Sequence, residues 1–335
     1  MKIYDFNGFP ETHKAYGGMA GQKHGIFING ERWLIKYPTR TDFMRGVKIP
    51  FTRAPLTEYL GSHVYGILGY PVHKTALGIE GGQVVVACKD FEEIGLDFCE
   101  FKLAKNLKNE KVRKYFEDHR DFTAETVNLE CVLSVVTEGL ENNGITGTEQ
   151  RFWDQFVVDA FISNSDRNNG NWGYLVSVTT GETSVAPVYD NAGSFFDKKS
   201  DEDFADYLRD SRILHDNAIP GVVSIYKYTK GDRELPIHSF QFMDKHHEEY
   251  PMLEDAIIRN SELIDERMEE IRAMIEDIPA SVVHEGKEYP IMSDVYKEYV
   301  LQILDIRRDK LHELAEEINL QREEEQFLLN GNYER

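Results

Sequence analysis

Two aspartates and an asparagine stand in an order that could support transfer of a phosphoryl group. The sequence contains Asp166-x-x-x-x-Asn171, and Asp190 follows beyond a hairpin-like stretch. Phosphoryl transfer needs a carboxylate that orients the acceptor hydroxyl, and oxygen ligands that hold a metal ion beside the phosphates. In the catalytic loop of kinases, Asp and Asn have this spacing. The pattern therefore indicates phosphotransferase chemistry, although Asp and Asn are also common turn formers.

A lysine and a glutamate precede these residues in the order that a phosphate clamp requires. Lys36 lies in the apolar run 33–37, where a buried ammonium group is costly unless it meets an anion. Glu58 follows on a predicted helix, and a strand Lys paired with a helix Glu holds the α- and β-phosphates in kinases. A strand lysine can also face water, so the pairing is a hypothesis.

A glycine-rich segment, residues 16–23, precedes Lys36 and Glu58 in the chain. Gly17, Gly18 and Gly21 would let backbone N–H groups approach phosphate oxygens. The segment is not a P-loop, because it lacks the Lys-Ser/Thr ending and because a strand, not a helix, is predicted to follow it. A flexible glycine turn is the alternative interpretation.

The elements that must position these residues begin with strands. Asn29-Gly30 predicts a tight hairpin between strands at 25–28 and 31–37. Residues 55–69 have a proline at their start and apolar residues on one face, a pattern typical of a helix.

Helical periodicity dominates the rest of the chain. It covers residues 125–140 and 149–163 and returns after residue 251. We therefore predict an α+β, bilobal, protein-kinase-like fold. Residues 1–90 would form a small β-rich N-lobe, and residues 91–335 a larger, mainly helical C-lobe.

Composition and charge narrow the range of possible functions further. The chain has 335 residues, with 38 Lys and Arg against 59 Asp and Glu, and a formal net charge of −21. This charge repels phosphate backbones and anionic lipid, so we expect neither direct nucleic-acid binding nor membrane association. Three cysteines without a C-x-x-C pair predict neither a disulfide framework nor a zinc site. The N-terminus lacks the pattern of a signal peptide, so we expect a cytoplasmic protein, with signal-less secretion as the open alternative.

One segment departs from this acidic composition. Residues 101–120 contain seven basic residues against three acids: Lys102, Lys105, Lys108, Lys111, Arg113, Lys114 and Arg120. A spacing of three residues would align several of them on one helix face. A solvated helix face is favoured here over a docking surface.

Five segments resemble the HipA-type serine/threonine kinases. They are YGGMAGQK (16–23), LIKYP (34–38), TEYLGSHVYGILGYPV (57–72), SNSDRNNGNWGYL (163–175) and PVYDNAG (187–193). Their order along the chain is more specific than any single segment. The resemblance is closest to the short HipA-like kinases that lack the extra N-terminal subdomain of the toxin HipA.

The resemblance implies a kinase that uses ATP and Mg²⁺ and phosphorylates a protein serine or threonine. Asp166 would be the catalytic aspartate, and Asn171 and Asp190 would be the magnesium ligands. Lys36, held by Glu58, would bind the phosphates. A toxin–antitoxin setting, with an antitoxin-like protein partner, is one role compatible with the resemblance, and an effector or a housekeeping regulator stays open beside it.

Further nucleotide contacts follow from the same resemblance. They are Gly18, Ala20, Gly21, Gln22 and Lys23 in the glycine-rich loop, Lys89 and Asp90 in the hinge, Asn168 in the catalytic loop, and Tyr189 before the metal-binding aspartate. In HipA, phosphorylation of a serine in the glycine-rich loop silences the kinase. Residues 11–30 contain no serine, so this form of autoinhibition is not expected, whereas autophosphorylation elsewhere is open.

Two other functions stay open. A small-molecule or lipid kinase is one, because residues 166–171 also fit the Asp-Arg-x-x-x-Asn pattern of phosphoinositide kinases. The net charge of −21 weighs against a lipid substrate. An inactive nucleotide-binding module is the other, and retention of the lysine, both aspartates and Asn171 argues against it.

Overall fold

The computed structural model of the chain describes residues 1–14, 22–91, 95–119, 122–123 and 125–331. Strands dominate the first part of the described chain, and helices dominate the rest. This is the mixed α+β architecture predicted from the sequence. No helix in the described ranges has the length and apolar character needed to span a bilayer.

The first sheet builds the N-terminal part. Its strands are β1 (Tyr4–Asp5), β2 (Lys23–Ile28), β3 (Glu31–Lys36), β4 (Thr75–Glu80) and β5 (Gln83–Lys89), arranged in the order β1-β4-β5-β3-β2. Asn29 and Gly30 both have positive φ angles, +52° and +81°, as a two-residue hairpin turn requires. The predicted hairpin is thus confirmed, with Lys23 opposite Lys36 in the register.

One helix packs on this sheet. Helix α1 (Ala54–Ile67) begins with Pro55 in its first turn, as predicted. Its buried face includes Leu60 and Val64, and it contacts strands β4 and β5. Because Glu58 lies on the same buried face, the helix carries a carboxylate into the interior.

The remaining elements follow in chain order. The helices are α2 (Glu110–Asp118), α3 (Leu129–Ser134), α4 (Thr148–Ile162), α5 (Asp201–Arg209), α6 (Ser211–Ala218), α7 (Ser239–His246), α8 (Pro251–Glu276) and α9 (Asp294–Gly331). Short 3₁₀ helices cover Phe101–Asn106, Glu141–Asn143 and His247–Glu249, and a π-helical turn covers Val135–Leu140. The strands are β6 (Leu96–Glu100), β7 (Gly173–Ser177), β8 (Thr183–Val185), β9 (Val223–Lys230), β10 (Arg233–His238), β11 (Ser281–His284) and β12 (Lys287–Pro290).

A small sheet with the order β6-β7-β8 frames the loops of interest. Strand β7 begins directly after the loop that contains Asp166, and strand β8 ends shortly before Asp190. The β7–β8 hairpin therefore holds the two acidic segments beside each other. The helix predicted at 125–140 is shorter in the structure, because α3 passes into the π-helical turn after Ser134.

Helix α4 forms the centre of the helical part. It is buried along almost its whole length and contacts α8, with Trp153 and Phe161 fully enclosed. It ends at Ile162, and the next residue, Ser163, has a left-handed φ of +56°. That turn directs the chain out of the core and into the segment that contains Asp166.

A buried arginine joins the ends of two helices to α9. The Arg307 guanidinium donates to the main-chain oxygens of Phe161 (2.9 Å), Asn217 (3.1 Å) and Ala218 (2.8 Å). These carbonyls end α4 and α6, where helices lack internal partners and carry partial negative charge. Burial lowers the pKa of Arg307 to about 9, so the group is still charged at pH 7.

Replacing this arginine tests how much its contacts stabilise the fold. Arg307→Leu leaves three carbonyls without their donors, so we expect a loss of about 3 kcal/mol or more in the free energy of unfolding, measured with urea. Arg308→Leu is the matched control, because Arg308 pairs with Asp309 at the surface, and it should cost less than about 1 kcal/mol. Equal unfolding midpoints for the two variants would contradict this role.

Candidate active site

The centre of the site is one ammonium group between two carboxylates. Lys36 Nζ, at the end of β3, lies 2.7 Å from Glu58 Oε2 and 2.8 Å from Asp190 Oδ1. Burial alone would lower the pKa of Lys36, but Asp190 and Glu58 hold it well above its usual value. The predicted pairing of Lys36 with Glu58 is therefore present, and the same lysine also reaches Asp190.

Glu58 is fully buried, and its second oxygen is also engaged. Oε1 accepts a hydrogen bond from the Asn191 backbone N–H at 3.0 Å and lies 3.0 Å from His73 Nε2. Burial alone would raise the pKa of Glu58, but Lys36 and His73 hold it well below its usual range. His73 also lies 3.0 Å from the Ser62 hydroxyl, so it has a fixed position behind Glu58.

The residues predicted to form a catalytic loop lie close together in the structure. Asn168 Nδ2 donates to Asp166 Oδ1 at 2.9 Å, and Asn171 Nδ2 donates to the Asp166 main-chain oxygen at 2.6 Å. The side-chain oxygen of Asn168 accepts from the Gly170 backbone N–H at 2.8 Å. The hydrogen bond from Asn168 orients the Asp166 carboxylate. Because Asp166 is exposed, this carboxylate is open to an incoming group.

A buried arginine connects this loop to the segment after Tyr189. Arg167 forms a two-point contact with Asp159 (Nε–Oδ2 2.8 Å, Nη2–Oδ1 3.0 Å). It also donates to the main-chain oxygens of Asn171 and Tyr189 and to the Asn191 side chain. Burial alone would lower the pKa of Arg167, but the Asp159 carboxylate raises it far above its ordinary value. One charged pair thus holds the two loops in register.

Two side-chain oxygens in the site remain available to bind a metal ion. In the part of the chain that the structure describes, no hydrogen-bond donor reaches Asp190 Oδ2 or the side-chain oxygen of Asn171. Asp190 is 38% exposed and has a φ of +58°, a left-handed conformation that Asp and Asn tolerate better than most residues. Carboxylate and amide oxygens are ligands that hard divalent cations prefer, so these two residues fit such an ion.

Residues predicted for the nucleotide phosphates lie partly outside the described ranges. Gly18, Ala20 and Gly21 are among those outside. Gln22 accepts a hydrogen bond from the Tyr37 backbone N–H through its main-chain oxygen at 3.0 Å. Lys23 lies opposite Lys36 on β2, where burial lowers its pKa while Asp190 opposes that effect.

The predicted hinge residues have partners on the N-terminal sheet. Lys89 Nζ donates to Glu31 at 2.6 Å, and Asp90 accepts from Lys14 Nζ at 2.8 Å. Their backbone N–H groups donate to the main-chain oxygens of Lys74 and Arg32. Adenine contact at this position therefore stays a prediction.

An aromatic cluster lies between the residue that follows the predicted hinge and the loop that contains Asp166. Tyr189 contacts the rings of Phe91 (5.5 Å between centroids) and Phe98 (5.4 Å), and its hydroxyl donates to the Gly170 main-chain oxygen at 2.8 Å. Tyr189 is one of the residues that the sequence resemblance places near the nucleotide. The sequence has no signal for the two phenylalanines, because single aromatic residues are typical of any core.

The segment after Asp190 is attached to helix α1. Thr57 Oγ1 donates to the Ala192 main-chain oxygen at 2.7 Å, and the Ser194 hydroxyl donates to the Thr57 main-chain oxygen at 3.2 Å. Gly61 permits this close approach, because a Cβ there would lie 2.7 Å from Asn191 Cβ. The helix that carries Glu58 and the segment that carries Asp190 thus pack as one unit.

Comparison with known proteins identifies the relatives of this arrangement. No protein-family model matches the chain. The chain is 28% identical over 326 residues to the serine/threonine-protein kinase CtkA of Helicobacter pylori strain J99, covering 92% of this chain and 87% of that protein. The crystal structure of the H. pylori proinflammatory kinase CtkA superimposes with a TM-score of 0.75 at 26% identity, over 94% of this chain and 96% of that one. This chain is a homologue of CtkA.

The homology confirms two expectations from the sequence. The fold is of the kinase type, and the homology to a serine/threonine-protein kinase supports the predicted serine/threonine kinase activity. A weaker likeness is to HipA of Shewanella oneidensis MR-1, solved with HipB and its operator DNA. It has a TM-score of 0.48 and 13% identity over 94% of this chain and 69% of that one, which is too little to support an inference.

The close approach at Gly61 makes a direct test of the site geometry. Gly61→Ala pushes Asn191 away and thereby shifts the backbone that binds Glu58 and carries Asp190. We expect kcat to fall about 10- to 100-fold, because small displacements of reacting groups are costly.

The matched control for this test lies on the same helix. At Gly66 a Cβ meets nothing closer than 3.4 Å, so Gly66→Ala should leave kcat unchanged and raise stability by up to about 1 kcal/mol. Steady-state kinetics and thermal unfolding of the two variants provide the comparison. Equal kcat values in both would show that the packing at Gly61 does not set the geometry.

Proposed function

We propose that this chain transfers the γ-phosphoryl group of ATP to a serine or threonine hydroxyl of a protein, with Mg²⁺ as the metal ion. The observation that carries the proposal is the position of the Lys36 ammonium, 2.7 Å from Glu58 and 2.8 Å from Asp190. A lysine held by a helix glutamate next to a metal-binding aspartate is the arrangement that kinases use for the phosphates.

The metal-binding roles are proposed for Asn171 and Asp190. When bound, Mg²⁺ would neutralise charge on the β- and γ-phosphates. The unengaged side-chain oxygens of both residues support this assignment. Arg167 acts as a positioning residue, because it holds the main chain of Asn171 and of Tyr189 together.

We assign the nucleotide-binding roles as the sequence resemblance implies. Lys36, positioned by Glu58, binds the α- and β-phosphates, and the glycine-rich loop covers them. That loop contributes Gly18, Ala20, Gly21, Gln22 and Lys23 in this proposal. Lys89 and Asp90 mark the hinge beside adenine, while Asn168 and Tyr189 line the opposite side.

Asp166 is the proposed catalytic residue. Its exposed carboxylate accepts a hydrogen bond from the acceptor hydroxyl and takes the proton as the phosphoryl group is transferred. Asn168 keeps the carboxylate oriented through its 2.9 Å hydrogen bond. The same group could act on a serine or threonine of the chain itself, so we include autophosphorylation in the proposal.

Three broader sequence predictions belong to the proposal as well. The lobe boundary falls near residue 90, with residues 1–90 and 91–335 as the two lobes. The protein acts in the cytoplasm. A toxin–antitoxin setting with an antitoxin-like partner follows from the sequence resemblance alone.

Substitution of the two aspartates tests the proposed roles separately. With ATP and Mg²⁺, Asp166→Asn should lower phosphate transfer by about 10²-fold or more while retaining nucleotide binding, because general-base assistance is lost. Asp190→Asn should lose transfer and also weaken metal-dependent nucleotide binding. Intact-mass spectrometry measures transfer, and titration with a fluorescent nucleotide measures binding.

Asp206→Asn is the control for the chemical change. Asp206 is exposed on α5 and pairs with Arg209, so this variant should behave as the wild type. Wild-type transfer rates in Asp166→Asn would refute the catalytic assignment. Phosphate found on a small alcohol, and on no protein, would favour the small-molecule kinase instead.

A further inference from the structure

The basic segment found in the sequence begins at the catalytic loop. The Lys102 backbone N–H donates to the Asn169 main-chain oxygen at 2.8 Å. The Lys102 ammonium covers Gly170, since a Cβ added there would lie 2.8 Å from Nζ, and it pairs with Glu100 at 2.7 Å. A cationic side chain therefore stands beside the loop that presents Asp166.

The fold leaves the basic residues of this segment on its outer side. In the 3₁₀ helix Phe101–Asn106, residues three apart lie on the same face. Phe101 and Ala104 face the interior, so Lys102 and Lys105 share the outer ridge. Lys108 follows the 3₁₀ helix and is exposed, and helix α2 buries Val112 and leaves Lys111, Arg113 and Lys114 exposed. We call this set the basic strip: Lys102, Lys105, Lys108, Lys111, Arg113 and Lys114.

The basic strip is unusual because it is positively charged in an otherwise acidic chain. Residues 101–114 hold six basic side chains and one acid, Glu110, in a chain with a net charge of −21. Beyond Lys102, no carboxylate of the described residues forms an ion pair with the strip. Its cations are thus available to an anionic partner rather than used within the fold.

Resting on the proposed kinase function, we infer that the basic strip binds acidic residues flanking the acceptor serine or threonine of a protein substrate. The spacing supports an extended peptide. Three residues of a 3₁₀ helix rise about 6 Å, and alternate residues of an extended chain are about 6.6 Å apart. Two alternate acidic residues would then meet Lys102 and Lys105, and further exposed cations follow these two along the chain. Nucleic acid is the less favoured partner, because the rest of the chain would repel a phosphate backbone.

Matched peptides test the inference. Each carries one serine, with glutamates at alternate positions on one side of it in one peptide and glutamines at the same positions in the other. Both the N-terminal and the C-terminal side are tried. We expect kcat/KM to be at least tenfold higher for the glutamate peptide on one side, and we expect 0.5 M salt to reduce that preference.

Charge reversal assigns the preference to the strip. The triple variant Lys105→Glu, Lys108→Glu, Lys111→Glu should abolish the preference and leave kcat/KM for the glutamine peptide within twofold. The control triple Lys230→Glu, Arg233→Glu, Lys245→Glu makes the same change in net charge at exposed positions elsewhere and should retain the preference. Fluorescence anisotropy of labelled peptides repeats the comparison without turnover.

The outcomes separate this inference from the proposed function. Equal use and equal binding of the two peptides by an enzyme that phosphorylates itself would overturn the inference alone. So would loss of the preference in the control triple. Binding of a single-stranded oligonucleotide that only the strip variant loses, without peptide preference, would assign the strip to nucleic acid. Absence of phosphate transfer to any acceptor, the chain itself included, would instead refute the proposed function.

Discussion

A carboxylate buried without solvent is stable only if charged or polar partners surround it, and Glu58 is such a group. Its partners come from β3, from the segment before β4 and from the segment after β8: Lys36, His73 and the Asn191 backbone. Lys36 is itself a proposed phosphate-binding residue, and Asn191 directly follows Asp190. The requirement to satisfy one buried charge therefore brings the sheet, helix α1 and the Asp190 segment into a single arrangement.

Arg167 imposes a second constraint of the same kind on the C-terminal side. Its counter-ion, Asp159, belongs to the most buried helix, so the loop that follows this helix cannot move independently of the core. The remaining donors of the guanidinium group hold main-chain oxygens on both acidic segments. The two buried ion pairs share one neighbour, since Asn191 contacts both Glu58 and Arg167. The Lys36–Glu58 pair, the loop that contains Asp166 and the segment that contains Asp190 are consequently coupled through residues that need not contact a substrate.

The sequence predicts the site residues that occur at known spacings. It predicts fewer of the residues that hold those site residues in position. The order of Lys36, Glu58, Asp166, Asn171 and Asp190 was readable because each lies in a characteristic local pattern. His73 and Asp159 have no such pattern, and their roles depend on contacts between distant segments. Asp159 had one signal, a charged residue within an apolar helix. The hairpin turn at Asn29-Gly30 was predictable from local backbone preference, whereas the π-helical end of α3 depends on tertiary packing.

The left-handed backbone at Asp190 limits how this enzyme could lose activity through mutation. A φ of +58° is strained for most side chains and is adopted readily by glycine and asparagine. A substitution to valine or isoleucine would disturb the fold as well as the chemistry, so it would be selected against for both defects. Asparagine or glycine would keep the backbone and remove only the carboxylate. A descendant that became a pseudokinase by drift at this position is therefore expected to carry one of those two residues.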